Sequence, residues 1–414
     1  MSNPLTWLFL LALAAATATR LWLAARQVRH VRAHRAAVPA AFSGVIALEA
    51  HQKAADYSVA KTRLAVVDLL IGAASLLLLT LGGVIQTLSD AWARLLAPDG
   101  LWHGVALIVS VALLLSALEL PVAVWRTFVT EQRFGFNRMT PRLFALDLAK
   151  QAALSAALGV PLVVLVLWLM ERMGALWWLY VWVAWMAFNL LVLLVYPTFI
   201  APLFNRFTPL QDPALAGRIE ALLARCGFKA NGLYVMDGSK RSSHGNAYFT
   251  GFGAAKRIVF FDTLLARLAP AEVEAVLAHE LGHYRRRHVW KRVAVIFAAS
   301  LALLWLLGHV IGEPWFYEGL GTSTRSTAVA LLLFFLAAPV FLFFLQPLSS
   351  LYSRRHEYEA DAYAAAHSSA AELVKALVKL YRDNAATLTP DPVHSAFYDS
   401  HPPAAARIAR LETA

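Results

Sequence analysis

Two histidines four residues apart, with a glutamate beside the first, stand in "LAHELGHYRRRH" as His279, Glu280 and His283. Four residues make a little over one helical turn, so both imidazoles leave the same face and can share a divalent cation. With a zinc ion between them, Glu280 is placed to take a proton from a water that the metal acidifies to a pKa of about 7. A catalytic zinc takes a third protein ligand. A third histidine six residues beyond His283 would fall at position 289, which is Val289, and Arg286 stands where that arrangement needs a tight-turn glycine. The third ligand is therefore expected from a separate helix. "HEYEADAYA" supplies Glu357 and Asp361, again four apart, the first to bind metal and the second to accept the other N–H of a ligand histidine. Glu359 points elsewhere on that helix. His288, five residues past His283, is rotated off the ligand face of a continuous helix and reads as a surface or interfacial histidine. The plainer alternative is a chance motif plus two solvated carboxylates; both sets in one chain argue for a site.

Such a site needs elements to hold it, and here they are membrane helices. The 414 residues are 59% hydrophobic and 12% aromatic, with a mean hydropathy of +0.57, which excludes an ordinary soluble multidomain protein. Apolar runs of spanning length begin near Leu5, Val66, Leu101, Ala152, Leu176, Val293 and Ala328, which gives seven spans. The first is expected to be retained rather than cleaved, because no basic residue precedes it and Arg20 interrupts its end. The net charge of +11 sits in short Lys and Arg clusters beside the apolar runs, where it faces lipid headgroups, and nucleic-acid binding is set aside. Arg26, Arg29, Arg32, Arg35, Lys53, Lys61 and Arg63 separate the first two spans, and Arg126, Arg133, Arg138, Arg142 and Lys150 separate the third and fourth. The alternate connections carry little beyond Arg94, Arg172 and Arg325, so the amino terminus is expected outside and the carboxyl terminus in the cytoplasm. A single cysteine, Cys226, excludes a disulfide framework and a multi-cysteine metal site.

Four segments follow: 1–200 with five spans and two basic loops, a hydrophilic 201–292 carrying the HELGH helix, 293–346 with two spans, and 347–414 completing the metal site. Within the second, Asp212 and Pro213 open a helix in "DPALAGRIEALLARCGF". "GLYVMDG", "NAYFTGF" and "KRIVFFD" read as three short strands of a small sheet.

The chain resembles the type I CAAX prenyl proteases, integral-membrane zinc metallopeptidases of the gluzincin type. The likeness rests on "LEAHQKAADYSVAKTR", "TEQRFGFNRMTPRLFALD", "YPTFIAPLFNRFTPL", "VMDGSKRSSHGNAYFTGFG", "LAHELGHYRRRH", "SRRHEYEADAYA" and "SHPPAAARIARL", in the family's order along nearly the whole chain. It implies an all-α membrane barrel of seven helices around a large chamber, with a cytoplasmic zinc-protease domain carrying a small sheet. It also implies one zinc ion on His279, His283 and Glu357, Glu280 as general base, and Asp361 behind a ligand histidine. Asn246, with His244 nearby, falls where a substrate strand can add beside the metal, and His401 and Arg407 fall where donors reach a developing oxyanion.

The activity so implied is endoproteolysis near the carboxyl terminus of prenylated or otherwise membrane-associated polypeptides. Composition, compact loops and the lack of an extended charged tail point to a bacterial cytoplasmic membrane. A quality-control protease acting on misfolded membrane proteins is a second enzymatic reading. A non-enzymatic scaffold or transporter is the contrasting one, disfavoured because the spans hold few charges, chiefly Glu119.

Overall fold

The computed structural model describes residues 3–250 and 257–413. The chain opens with α1 (Pro4–Ala33), α2 (Leu48–Leu79), α3 (Val84–Trp92), α4 (Leu101–Trp125), α5 (Pro141–Arg172), α6 (Trp177–Val195) and α7 (Ala201–Phe204). The hydrophilic region holds β1 (Phe207–Pro209), α8 (Pro213–Arg225), β2 (Leu233–Met236), β3 (Ala247–Thr250), β4 (Arg257–Phe261), α9 (Asp262–Leu265) and α10 (Pro270–Arg285). Then come α11 (His288–Val310), α12 (Pro314–Gly319), α13 (Thr327–Leu342), α14 (Gln346–His367), α15 (Ala370–Asp383), α16 (Pro392–Tyr398) and α17 (Ala404–Glu412).

Among the described residues, seven helices are long and apolar enough to cross a membrane, each containing one of the seven apolar runs. The chain is an integral, multi-pass membrane protein. Consecutive spans pack on one another from α1 through α2, α4, α5, α6 and α11 to α13, and α13 returns to α1, so the seven close into a barrel. Their outer faces carry apolar side chains such as Leu113, Val183, Leu191 and Phe335, all exposed, as a hydrocarbon solvent requires. Inside lies a cavity of about 1060 Å³. Its walls include Arg20 and Gln27 of α1, Lys61 of α2 and Glu119 of α4, and one end is formed by α15 and the tail around His401.

The helices outrun the apolar segments. Arg26, Arg29 and Arg32 lie on α1, and Lys53, Lys61 and Arg63 lie on α2, so only residues 34–47 connect the first pair, less than the basic loop the sequence suggests. Hydropathy marks the stretch that crosses hydrocarbon, whereas the backbone hydrogen-bond ladder continues wherever the side chains tolerate it. The segment limits at 292/293 and 346/347 fall inside or at the first residue of continuous helices, α11 and α14.

The sheet has the order β1-β2-β4-β3, with β2 parallel to β4 and the outer pairs antiparallel. β3 is therefore an edge strand. Strand β1 is an addition to the three expected; three residues ending in proline carry no alternating pattern, and only pairing to β2 identifies it. Residues 251–252 of "NAYFTGF" and Lys256 of "KRIVFFD" lie outside the described residues. Asp212 caps α8 by accepting the Ala214 and Leu215 N–H groups, with Pro213 at the first helical position. The buried face of α8 packs with β4, α10 and α15 in one core containing Ile219, Leu222, Phe260, Leu277 and Leu373.

Candidate metal centre and active site

Helix α10 starts at Pro270, where the Glu272 carboxylate accepts the Ala269 N–H at 2.7 Å and is itself held by Lys379 at 2.7 Å. It packs most extensively on α14, and Gly282 sits at the closest approach: a Cβ there would lie 2.9 Å from the Ala360 Cα. Any larger side chain would part the two helices. This contact lets His279 and His283 face Glu357, although Glu357 lies 74 residues beyond His283 in sequence.

Ligand atoms of His279, His283 and Glu357 lie within 4.8 Å of one another. The two Nε2 atoms are 3.2 Å apart, and the Glu357 oxygens stand 3.5 Å from His279 Nε2 and 3.3 Å from His283 Nε2. Glu357 is buried, and its Oε2 accepts no hydrogen bond. A carboxylate oxygen left so in a protein interior is costly unless a cation occupies the space in front of it. Two neutral imidazole nitrogens and a carboxylate are a donor set that suits zinc-type chemistry, and the residues present fit a divalent ion.

Each histidine is oriented from behind. The Nδ1 of His279 is 2.8 Å from Asp361 Oδ1, and Arg407 grips Asp361 through Nε at 2.9 Å and Nη2 at 2.6 Å. Burial lowers the His279 pKa, but the Asp361 and Glu357 carboxylates outweigh it and carry the pKa up to about 9. Two carboxylates flanking the ring favour positive charge beside it.

His283 has a different partner. Its Nδ1 is 3.0 Å from Nδ1 of His288, whose Nε2 is 3.1 Å from Glu359 Oε2. Of the surface or interfacial placement expected for His288, the exposed-surface alternative does not hold, since it is 1% exposed and stacked on His356 at 4.0 Å. The spacing argument assumed one helix. The chain instead breaks at Arg287, in the left-handed region at φ 56°, and α11 starts afresh at His288, which swings its ring back over His283. Glu359 does point away from the donor atoms, and the partner it meets there is His288. No glycine, proline or asparagine marks the break; an apolar span beginning ten residues after His283 was the available signal.

Glu280 adjoins the cluster, and burial raises its pKa above the ordinary carboxylate value despite the neighbouring histidines. An upward shift moves a carboxyl group toward the behaviour of one that both takes and releases a proton. The His401 Nε2 is 3.4 Å from Glu357 Oε1, and Arg407 Nη1 is 3.7 Å from Glu357 Oε2. Both residues also line the large cavity, so metal cluster and chamber share a wall. Burial depresses the His401 pKa, favouring the neutral ring.

Asn246 and His244 lie apart from this group. The Asn246 carbonyl accepts the Phe261 N–H at 3.0 Å and its side chain accepts the Ala247 N–H at 2.8 Å, which fixes the start of edge strand β3. The ring of His244 stacks on Phe136 at 4.4 Å, with Nδ1 3.3 Å from Asn384 and Nε2 3.5 Å from Glu131, so its contacts are to the protein.

A barrel of membrane spans whose last two run into the helices of a His-Glu-His donor set defines a membrane-integrated metallopeptidase. Comparison with known proteins agrees. A model described as CAAX prenyl protease N-terminal, five membrane helices, matches residues 27–206, and one described as peptidase family M48 matches residues 209–414. A CAAX prenyl protease 1 homolog of Oryza sativa subsp. japonica is 34% identical over 401 residues, covering 93% of each chain. CAAX prenyl protease 1 of Saccharomyces cerevisiae is 36% identical over 311 residues, covering 71% of this chain and 69% of its own. The crystal structure of S. mikatae Ste24p superposes with a TM-score of 0.93 at 29% identity, with all of both chains covered. The protein belongs to the CAAX prenyl protease 1 family of membrane metalloproteases.

Proposed function

We propose that this protein is a zinc endopeptidase that cuts near the carboxyl terminus of prenylated, CAAX-type or otherwise membrane-associated polypeptides. The observation that carries the reading is that Glu357, which closes the donor cluster, touches His401 and Arg407, and both line a cavity walled by membrane helices. A substrate with a lipid on its chain can keep that lipid in an apolar setting while its peptide reaches the donors.

In this reading His279, His283 and Glu357 hold one zinc ion, which when bound supplies Lewis acidity that acidifies water and polarises a carbonyl. Glu280 removes the proton from the attacking water and delivers it to the departing amine. Asp361 keeps the proton of His279 on Nδ1, leaving Nε2 free for the metal. Neutral His401 offers an N–H, and Arg407 its remaining Nη1, to the carbonyl oxygen as it gains charge. The exposed edge of β3, whose start Asn246 fixes, is where an extended peptide adds as a fifth strand; His244 supports that edge through Asn384, which lines the cavity.

The Lys and Arg distribution supports a cytoplasmic catalytic face with the amino terminus outside. The composition supports a bacterial inner membrane, while the relatives named above are eukaryotic. Polypeptide and lipid are the partners, and nucleic acid is not.

The test is cleavage of a farnesylated CAAX peptide, its unfarnesylated twin and an unfolded membrane protein in proteoliposomes. The farnesylated peptide is expected to be cut fastest, and Glu280→Gln to lose about 10²- to 10⁴-fold in rate with zinc retained. Full activity of Glu280→Gln ends the mechanism. Preference for the unfolded protein replaces the substrate class.

A further inference from the structure

We infer that His288 and Glu359 form a positioning relay that fixes the tautomer and aim of the metal ligand His283, a task that on the other ligand belongs to Asp361. The inference rests on the metal-site reading above.

The logic runs from the outer end inward. Glu359 is held by Arg355 Nε at 3.1 Å, with Lys291 Nζ 4.0 Å away, so it stands as a charged, oriented carboxylate. An ionised carboxylate only accepts hydrogen bonds. The proton of His288 must therefore sit on Nε2, 3.1 Å from Glu359 Oε2. That leaves His288 Nδ1 as an acceptor, and the group 3.0 Å in front of it is His283 Nδ1, which must then carry a hydrogen. With Nδ1 protonated, the lone pair of His283 lies on Nε2, the atom facing His279 and Glu357. Reversing any link would put a proton on the nitrogen that has to bind the ion.

The ring of His288 cannot turn to escape this arrangement. It is buried, sandwiched against His356 at 4.0 Å and 11° between ring planes, and anchored by the backbone break at Arg287. His356 immediately precedes Glu357 on α14, so the stack also ties α11 to the helix carrying the third ligand. The two ligand histidines thus have unequal supports. A buried carboxylate fixed by arginine backs His279, while a neutral imidazole ending in a partly exposed carboxylate backs His283. The second support transmits orientation with little added negative charge at the metal, because the carboxylate is one ring further away.

Zinc affinity of the detergent-solubilised full chain, measured by competition with a chromogenic chelator, tests the relay independently of turnover. His288→Phe preserves a flat ring for the His356 stack but removes the acceptor, and it is expected to weaken zinc binding about 10- to 100-fold. His288→Gln, which retains an acceptor and a donor, is expected to lie nearer the wild type than His288→Phe. Should His288→Phe fail to fold, Glu359→Ala answers the same question and is expected to weaken zinc binding too. Wild-type affinity in folded His288→Phe, or in Glu359→Ala when it stands in, overturns the relay. A wild-type chain that binds no zinc overturns the metal reading itself, which is a separate result.

Discussion

Helices α6 and α10 are of similar length and opposite character. In α6 only Trp177 and Val181 are buried, while Leu179, Tyr180, Val183, Leu191 and Leu194 face outward. In α10 ten of sixteen residues are buried, and they include Glu272, Glu274 and His279. The apolar helix is the exposed one, and the helix carrying charge is the core. Two solvents explain the inversion. Against hydrocarbon, α6 needs no protein cover for its leucines. Inside the hydrophilic region, α10 can bury charge because each group is answered: Glu272 by Lys379, Glu274 by Arg218 and Arg225, His279 by Asp361. Helices α11 and α14 join the two regimes, since α14 carries Glu357 and continues from the last span, while α11 is a span that begins just after α10.

If charge is answered around α10, removing an answer should hurt most. Arg407→Ala leaves Asp361 and Glu357 buried with their strongest cation gone, and is expected to cost about 3–5 kcal/mol in stability, read as a lowered Tm in nanodiscs. A Tm within error of the wild type would mean that the cluster is not a balanced network. Leu281→Ala, at a fully packed position of α10, is expected to cost about 2–5 kcal/mol by the same melt. Gly282→Ala forces a methyl into the Ala360 backbone and the Tyr363 Cβ, 2.9 and 3.0 Å away, at about 1–3 kcal/mol. Because it wedges α10 from α14, it should also weaken zinc binding, which neither a cavity at Leu281 nor a loose surface would do to the same degree.

The same contrast explains what could be read from the letters alone. Hydropathy finds seven spans because hydrocarbon imposes a length and a composition on each one separately. The four-residue spacings of His279 with His283 and of Glu357 with Asp361 are legible because they are properties of single helices. Features made between elements leave a fainter trace. That Gly282 permits the α10–α14 approach, that Phe207 pairs with Met236, and that α13 returns to α1 are all settled by partners distant in sequence. His288 was misplaced for a related reason: its direction depends on one backbone torsion at Arg287, a residue type with no preference for the left-handed region.

The smallest expected effect is the sharpest check on the two-solvent argument, because it deletes the same atoms as Leu281→Ala in the other surroundings. Leu191 on α6 is 54% exposed on the barrel's outer face. Truncating it to alanine removes no buried protein contact of consequence and opens no cavity, since lipid chains close over the gap, so stability should change by about 0.5 kcal/mol or less. A loss at Leu191 as large as that at Leu281 would show that α6 is covered by something better packed than lipid. The outer faces of the spans would then be a protein interface, and the division between a self-satisfied metal domain and a solvent-satisfied barrel would fail at its apolar end.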